Sequence, residues 1–425
     1  MGRNPAISND IFAPEGIHTL AKYGFDREPD GVSREAMRCL ANAMLLNENA
    51  RQIFLDLIYA EKAAERMKND DRDDEFLATR ILFFTTYTGK LDIATLLDKN
   101  DLATTLSRNL NRHAERLSSK SVPTSKPITE MSLQETLKLI PNIVYHHPAS
   151  ASALDTTIAP IVEILTSQSV PSPPLQPPIN LLINALMNLN LSATSKVEDS
   201  SIRDSLFPDH DSTRLTTRLV AILDAATRTY PERDLDTTLS PLVALFRKIY
   251  IPAPPPVRQS LQSQLLPSVS SRSQPLGTDA TLPSRLLRLT LSPLTPMLRE
   301  NIASLLYELS DEDPEKLVAN IGYGYAAGFL STRGIEVPAS AMATTASTEA
   351  ENGTNGESGS RVDINPVTGQ RRDMEHVDDL PEMTEEEKER EAERLFVLFE
   401  RLKATGVVDV ENPVTKAMRE GQFDK

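Results

Sequence analysis

The chain has 425 residues, of which 40% are hydrophobic and 5% aromatic, with one cysteine and no tryptophan. A lone cysteine excludes an internal disulfide, and no apolar run approaches the roughly 20 residues that a membrane span needs. The net charge of -15 argues against a nucleic-acid-binding surface, because such a surface needs a basic face to release counterions from phosphate. We therefore expect a cytoplasmic protein that has no integral membrane segment and binds a partner with basic patches.

The first strongly periodic element is the stretch 35–47, EAMRCLANAMLLN. Its apolar side chains fall on one face of a helix, while Arg38 and Asn42 fall on the opposite face. Ser33 is the expected N-cap, without a capping box because no acidic or amide side chain stands three residues later. Cys39 lies on the flank of the helix and is interpreted as a packing residue.

An acidic turn, Asp70 to Glu75, precedes the next apolar helix, Phe76 to Tyr87. The clustered carboxylates could indicate a divalent cation, but the turn lacks the glycine and the distant glutamate of a calcium loop. The spacing favours carboxylates that stabilise the helix N-terminus through its dipole. In this helix Arg80 takes the position of Asn42.

The pattern of residues 35–47 returns at 135–147, ETLKLIPNIVYHH, and in a shorter form at 179–190, INLLINALMNLN. A short helix cannot bury its apolar face alone, so a chain that repeats one helix is best interpreted as a stack of units with a shared core. The repeated polar stripes would then line a groove. The candidate partner-binding side chains on these helices are Arg38, Asn42, Arg80, Lys138, Asn142, Asn184 and Asn188.

Six such helices are predicted along residues 1–337, each the third helix of its unit. They start near Ser33, Asp74, Met131, Ile179, Asp236 and Thr295. Armadillo and HEAT units are roughly 40 to 47 residues long, and the longer spacings here require extended loops. No stretch alternates with period two, so no strand is expected. The predicted fold is therefore an all-α, armadillo/HEAT-like solenoid, followed by a disordered linker and a C-terminal helix.

Two stretches inside the predicted solenoid depart from its periodicity. Residues 252–283 are rich in Pro, Ser and Gln, so we expect a disordered insertion around one helical segment near Val257 to Leu266. The sequence GYGYAAG at 322–328 lacks the strand and the third glycine of a dinucleotide-binding loop. Its glycines are interpreted as sites of close helix packing.

Beyond the solenoid, residues 338–380 are predicted to be a disordered, acidic linker. Thr348 and Thr354 each have a glutamate three residues later and are possible sites for acid-directed kinases. A helix is predicted at 381–406, capped by Thr384 and Glu387, and 407–425 form a flexible tail. The apolar face of this helix includes the candidate partner-binding residues Leu395, Phe396 and Phe399. The helix either docks back on the solenoid or clamps a partner, and the sequence does not favour one of these.

No catalytic, cofactor-binding or metal-ligating constellation is found. There is no phosphate-binding GxxxxGK[ST] loop, and the six histidines are scattered. Adjacent His146 and His147 would diverge by roughly 100° on a helix and cannot ligate as a pair. The residues themselves therefore indicate a binding protein that is not an enzyme and needs no cofactor.

Several stretches together resemble the synembryn family, and in particular its fungal members. These are EAMRCLANAMLLN at 35, DDEFLATRILFF at 73, IGYGYAAGFLSTRGI at 321, INPVTGQ at 364 and MTEEEKEREAERLFVLFERL at 383. The resemblance spans nearly the whole chain, and the last two stretches are its most specific part. Compared with the family, the chain begins within what looks like the second unit. It also lacks the dense Ser and Asp cluster of animal members, so regulation by phosphorylation is not expected.

The resemblance implies a folding chaperone and guanine-nucleotide exchange factor for heterotrimeric G-protein α subunits (Gα). It implies a groove that takes the C-terminal helix of Gα, with Asn42 bonding to the peptide backbone and Arg38 and Arg80 meeting its carboxylates. The alternative for Asn42 is a helix-to-helix bond inside the array. The protein would act as a monomer and reach the inner plasma membrane through Gα. The competing interpretation is a passive armadillo adaptor that captures a peptide without changing any nucleotide site.

Overall fold

The computed structural model describes residues 9–118, 127–191, 199–336 and 364–375, together with scattered residues between 384 and 397. The chain divides into two compact units, residues 1–372 and 373–425. Within the described residues the secondary structure is helical, apart from one isolated β-bridge between Ile364 and Arg371. None of the helices in that part of the chain combines the length and the apolar character required to cross a bilayer.

The first unit contains twenty α-helices in its described residues. They are α1 Asn9–Phe12, α2 Pro14–Phe25, α3 Gly31–Leu46, α4 Glu48–Asp56, α5 Ala60–Arg66, α6 Arg72–Thr86, α7 Ile93–Asp98, α8 Leu102–Ser118, α9 Pro127–His146, α10 Ser150–Ala153, α11 Ile158–Ser167, α12 Ile179–Asn188, α13 Asp199–Leu206, α14 Arg214–Thr229, α15 Glu232–Tyr250, α16 Pro255–Leu265, α17 Leu282–Leu289, α18 Pro296–Leu309, α19 Pro314–Ile321 and α20 Tyr323–Thr332.

The six predicted third helices are all present, as α3, α6, α9, α12, α15 and α18, and each packs against the next. We call these six helices the stack. A second row, α8, α11 and α14, packs in the same way along the chain and also lies against α9, α12 and α15. The two rows bury one continuous apolar core. The prediction of an all-α, solenoid-like array of helical units is confirmed.

Helix α3 starts three residues earlier than the sequence suggested. Asp30, not Ser33, is the N-cap: its carboxylate accepts a hydrogen bond from the Ser33 backbone N–H at 2.6 Å. The Ser33 hydroxyl accepts one from the Asp30 backbone N–H at 3.0 Å, which completes a capping box. The prediction of a Ser33 cap without a box was wrong, because serine replaces the usual glutamate in the reciprocal bond. Cys39 is exposed, so its interpretation as a packing residue was also wrong.

The expectation of a disordered insertion at 252–283 was wrong. Its predicted helical segment is present as α16, which buries Val257, Leu261 and Leu265 against the core. The chain after it is also packed, with Leu276 only 3% exposed. The spacing of the three apolar side chains puts them on one helical face, and the polar residues between them point outward. A proline- and serine-rich composition therefore coexists here with an ordered segment.

The predicted disordered linker 338–380 was wrong over part of its length. Residues 364–371, INPVTGQR, are ordered, and Ile364 is only 3% exposed. The rest of the linker before residue 364, including Thr348 and Thr354, lies outside the described residues, as does the tail 407–425. Described positions from 386 to 397 are helical and exposed, in agreement with a helix in 381–406.

The acidic turn before α6 holds a buried ion cluster that the sequence did not reveal. Asp71 caps the helix, accepting hydrogen bonds from the backbone N–H groups of Asp73 and Asp74. Asp74 itself is 0% exposed. Its carboxylate lies 2.9 Å from the Arg34 Nε and 3.7 Å from an Arg66 nitrogen, and its hydrogen bond raises the pKa of Arg34. The cluster ties α6 to α3 and α5.

We predict that Asp74→Asn lowers the free energy of unfolding by about 3–5 kcal/mol, because it takes the carboxylate from the buried Arg66 and leaves Arg34 with only Asp71 at 3.2 Å. Chemical denaturation followed by circular dichroism measures the change. The matched control is Asp73→Asn, one residue earlier, where a half-exposed carboxylate pairs loosely with Arg38 at 3.7 Å. That variant should lose less than about 1 kcal/mol. Equal losses in the two variants would contradict this assignment.

Candidate partner-binding surface

The predicted partner-binding residues of the first unit all lie on stack helices. Arg38 and Asn42 are on α3, Arg80 is on α6, Lys138 and Asn142 are on α9, and Asn184 and Asn188 are on α12. Residues four apart share one face of a helix. Because successive stack helices pack together, their polar stripes are brought next to each other. We call this set of side chains the polar stripe.

Arg80 and Lys138 are held in place by one buried carboxylate. Glu135, only 3% exposed, places its Oε1 atom 2.8 Å from Arg80 and 3.0 Å from Lys138. The Arg80 guanidinium also lies over the ring of Phe84, with 5.0 Å to its centroid, and over Phe76 at 5.8 Å. Such contacts between a cation and an aromatic face are attractive. The arrangement fixes two partly exposed cations side by side, with one compensating negative charge.

Arg38 is the most exposed of the stripe cations, at 42% of its side chain. It pairs with Glu35 at 3.3 Å on its own helix and with Asp73 on α6 at 3.7 Å. Exposed pairs of this kind are weak. Arg38 can therefore exchange these carboxylates for one on a bound chain at little cost.

The asparagines of the stripe differ in what their side chains already bond. Asn142 donates to the Thr86 hydroxyl at 2.8 Å, across from α9 to α6. Asn188 donates to the Asn184 carbonyl at 2.8 Å within α12. In the described part of the chain the side chains of Asn42 and Asn184 bond to no other residue, and both are half-buried. The helix-to-helix bond that was the alternative for Asn42 is made by Asn142 instead.

Exposed apolar side chains at the ends of stack helices were not predicted. Leu45 near the end of α3 is 48% exposed, Tyr87 after α6 is 55% exposed, and Tyr145 at the end of α9 is 78% exposed. An Arg51 guanidinium lies 5.5 Å from the centroid of Tyr87. The periodicity of residues 35–47 places Leu45 on the apolar face of its helix, so that assignment was wrong for Leu45. Tyr87 and Tyr145 lie where their helices end, and nothing in the sequence signals that they are exposed.

Three distant segments meet at the end of the first unit in an arrangement that we call the clasp. They are residues 270–277, 319–325 and 364–371. Backbone N–H groups of Leu276, Tyr323 and Gly324 donate to the carbonyls of Thr368, Pro366 and Val367 at 2.7–3.1 Å. The INPVTGQ and GYGYAAG stretches of the family resemblance are therefore bonded to each other.

Arg272 and two glycines make the clasp possible. The buried Arg272 guanidinium donates to the carbonyls of Gly369, Ala319 and Asn320 at 2.8–3.0 Å. A Cβ at Gly322 would lie 3.0 Å from the Val367 carbonyl oxygen. A Cβ at Gly324 would lie 3.1 Å from the same oxygen, whereas one at Gly328 would meet nothing within 4 Å. Gly322 and Gly324 thus admit residues 364–371, and the prediction that the glycines of GYGYAAG serve helix packing was wrong.

The candidate residues of the C-terminal helix are only partly within the described chain. Phe396 is helical and 39% exposed. Leu395 and Phe399 lie outside the described residues. In the described residues no group of three or more His, Cys, Asp and Glu side chains is arranged to hold a metal ion.

A stack of packed helices with a clasp at its end defines a helical-repeat protein. The chain belongs to the Ric8 family, described as guanine nucleotide exchange factor synembryn, whose family model matches residues 1–422. It is 28% identical over 420 residues to a synembryn-like chaperone of Schizosaccharomyces pombe, covering 92% of this chain and 76% of that protein. It is 26% identical over 454 residues to the chaperone Ric-8A of Xenopus laevis, covering 96% and 80%. The resemblance drawn from the sequence is confirmed.

We predict that Gly369→Ala opens the clasp. The backbone there has φ +69°, and a Cβ would overlap the Leu276 side chain. Amide hydrogen exchange at Leu276 and Tyr323 should become faster, because their acceptors lie in residues 364–371. Gly334→Ala is the control, since Gly334 has φ +63° but nothing within 4 Å of its added Cβ. Similar exchange rates in the two variants would show that Gly369 does not hold the clasp.

Proposed function

We propose that this protein is a folding chaperone and guanine-nucleotide exchange factor for G-protein α subunits. The family match over residues 1–422 is the observation that carries the proposal. The relatives named above are called chaperones or synembryn-like. The fixed cations Arg80 and Lys138 and the unbonded Asn42 supply the chemistry to bind a helical peptide tail with a carboxylate. The protein would act as a monomer in the cytoplasm and reach the inner plasma membrane through Gα.

The proposed activity requires no covalent chemistry by this chain. If the protein binds nucleotide-free Gα more tightly than GDP-bound Gα, GDP must bind the complex more weakly by the same factor. Each 1.4 kcal/mol of this preference corresponds to about a tenfold change in affinity. The same binding would protect nascent Gα before it has acquired a nucleotide. Exchange and chaperone activity thus follow from one difference in binding free energy.

The passive adaptor remains the second candidate, because the polar stripe alone can capture a peptide. The two candidates differ in one measurable quantity, the rate of GDP release. We predict that the protein accelerates release of a fluorescent GDP analogue from purified Gα. Deleting residues 383–403 should reduce this acceleration more than it reduces capture of a Gα C-terminal peptide. Binding of Gα with an unchanged release rate would leave only the adaptor.

A second prediction concerns the affinity of the polar stripe for a Gα C-terminal peptide. Asn42→Ala should weaken binding of a Gα C-terminal peptide by about five- to tenfold, because the lost group is a half-buried hydrogen-bonding partner. Arg80→Ala should also weaken it, because a cation facing the peptide is lost. Fluorescence anisotropy of a labelled peptide measures both effects.

The control for this pair is Asn111→Ala on α8, whose side chain donates only to Ser107 of its own helix at 3.0 Å. That change should leave peptide affinity as it is. Unchanged affinity in both Asn42→Ala and Arg80→Ala would place the peptide elsewhere on the protein.

A further inference from the structure

A cavity away from the stack lies where α11 packs against α8, α13 and α14. Its volume is about 460 Å³, within the ~300–1,000 Å³ of pockets that hold drug-sized ligands. None of these four helices belongs to the stack, and no residue of the polar stripe lines the cavity. A ligand bound here would therefore occupy a surface separate from the polar stripe.

The most buried side chains of the cavity lining are apolar. Ala114, Val162, Leu206 and Leu215 line it from four different helices, and each is at most 7% exposed. Ala159, near the start of α11, also lines the cavity but is exposed to solvent. Apolar surface at the base of an open cavity favours a ligand that covers it, because this removes the surface from water.

The charged side chains of the lining leave two carboxylates without a counterion. Glu163 binds Arg214 through both carboxylate oxygens, at 2.9 and 3.3 Å, so these two charges compensate each other. Glu115 on α8 and Asp204 on α13 also line the cavity. Both are exposed, and within the described residues neither side chain forms a hydrogen bond or an ion pair. The cavity therefore carries two negative charges that a ligand can meet.

Charge and lining together indicate a cation with an apolar body. A phosphate or carboxylate ligand would be repelled by Glu115 and Asp204. A resident metal ion is not supported, because the described chain has no group of three or more His, Cys, Asp and Glu side chains arranged to hold one. Arginine and lysine side chains lay their methylene stems on apolar surface while the charged head stays in water. This matches buried apolar side chains that lie beside exposed carboxylates.

We propose that the cavity is a docking site for a basic segment of a partner protein, in which an arginine or lysine adjoins an apolar residue. The net charge of -15 would attract such a segment from a distance. The polar stripe, with its cations Arg38, Arg80 and Lys138, suits the opposite charge. The cavity thus accommodates the partner with basic patches that the composition of the chain indicates. This site goes beyond the proposed function and does not depend on what binds the polar stripe.

Reversing the two charges tests the site. A displayed library of random peptides is selected at physiological ionic strength on the intact protein and on the double variant Glu115→Lys/Asp204→Lys. The intact protein should enrich peptides that carry Arg or Lys beside an apolar residue. The double variant should lose these peptides and enrich Asp or Glu in place of the basic residue, because the cavity has become cationic. This gain of a new preference shows that the variant is folded.

Glu61→Lys/Asp98→Lys is the matched control, because a negatively charged chain attracts basic peptides non-specifically. Glu61 on α5 and Asp98 on α7 are exposed carboxylates that do not line the cavity. The two double variants change the net charge equally, so only the cavity distinguishes them. Selection on the control should match the intact protein. The proposal is overturned if the intact protein enriches no basic peptides, if the cavity variant keeps them, or if the control loses them equally.

Affinity measurements with one selected peptide test whether it occupies the cavity. By fluorescence anisotropy it should bind Glu115→Lys/Asp204→Lys about tenfold more weakly than the intact protein, since two weak attractions become repulsions. Ala159→Trp, which adds a large ring at an exposed position of the lining, should also weaken binding. Unchanged affinity in either variant would place the peptide elsewhere. Spermidine is a cation without an apolar side chain and should compete only weakly. Displacement of the peptide by an equal concentration of spermidine would make this a site for free amines and overturn the proposal.

A Gα C-terminal peptide separates the docking site from the proposed function. It should bind Glu115→Lys/Asp204→Lys as it binds the intact protein, because the polar stripe is unchanged. If this peptide does not bind the intact protein while the basic peptides depend on the cavity, the proposed function fails and the docking site stands. If it loses as much affinity in the double variant as the basic peptide does, the two surfaces are one and the docking site fails.

Discussion

Burial of one apolar stripe per helix is the constraint on which the rest of the structure depends. In α3, Met37, Leu40 and Met44 are fully buried, and in α9 the same holds for Leu137, Ile140 and Ile143. A helix with a single such stripe is stable only when a neighbour covers it. The polar stripe exists because the opposite face of each stack helix has no such requirement. Position on the stack therefore fixes which side chains can meet a partner.

Basic side chains bond to backbone carbonyl groups at or near several helix ends. Every helix ends in carbonyls that have no partner within the helix. Lys248 donates to the carbonyls of Met187 and Leu189 at the end of α12, and burial lowers its pKa. Arg66 donates to the Gly24 carbonyl in α2, and Arg272 does the same at the end of α19. A cation also interacts favourably with the negative end of the helix dipole. Each of these contacts satisfies a carbonyl group and also joins two segments that are more than 40 residues apart in the sequence.

The sequence predicted what depends on local periodicity and missed what depends on distant contacts. All six stack helices were predicted, because their apolar residues recur with a helical period. The clasp was not predicted, since the partners of Arg272 are up to 97 residues away and lie on two other segments. The burial of Asp74 and of the adjacent Glu75 could not be recognised either. Asp71 and Asp73 of the same turn have partly exposed side chains, and only contacts with distant helices distinguish the buried carboxylates from these. In the polar stripe the positions were predicted correctly as parts of stack helices. The sequence did not show which of the stripe asparagines bond to a neighbouring helix, because a bond such as that of Asn142 to Thr86 depends on the side chains of that helix.

The shared carboxylate of Glu135 has a consequence for how the surface behaves in different salt. Attraction between exposed charges falls within a Debye length of about 8 Å at physiological ionic strength, but buried pairs are screened much less. Added salt will therefore screen the outward field of Arg80 and Lys138 while leaving both side chains oriented by Glu135. The placement of these two cations should therefore depend less on ionic strength than the attraction that they exert on a distant charge.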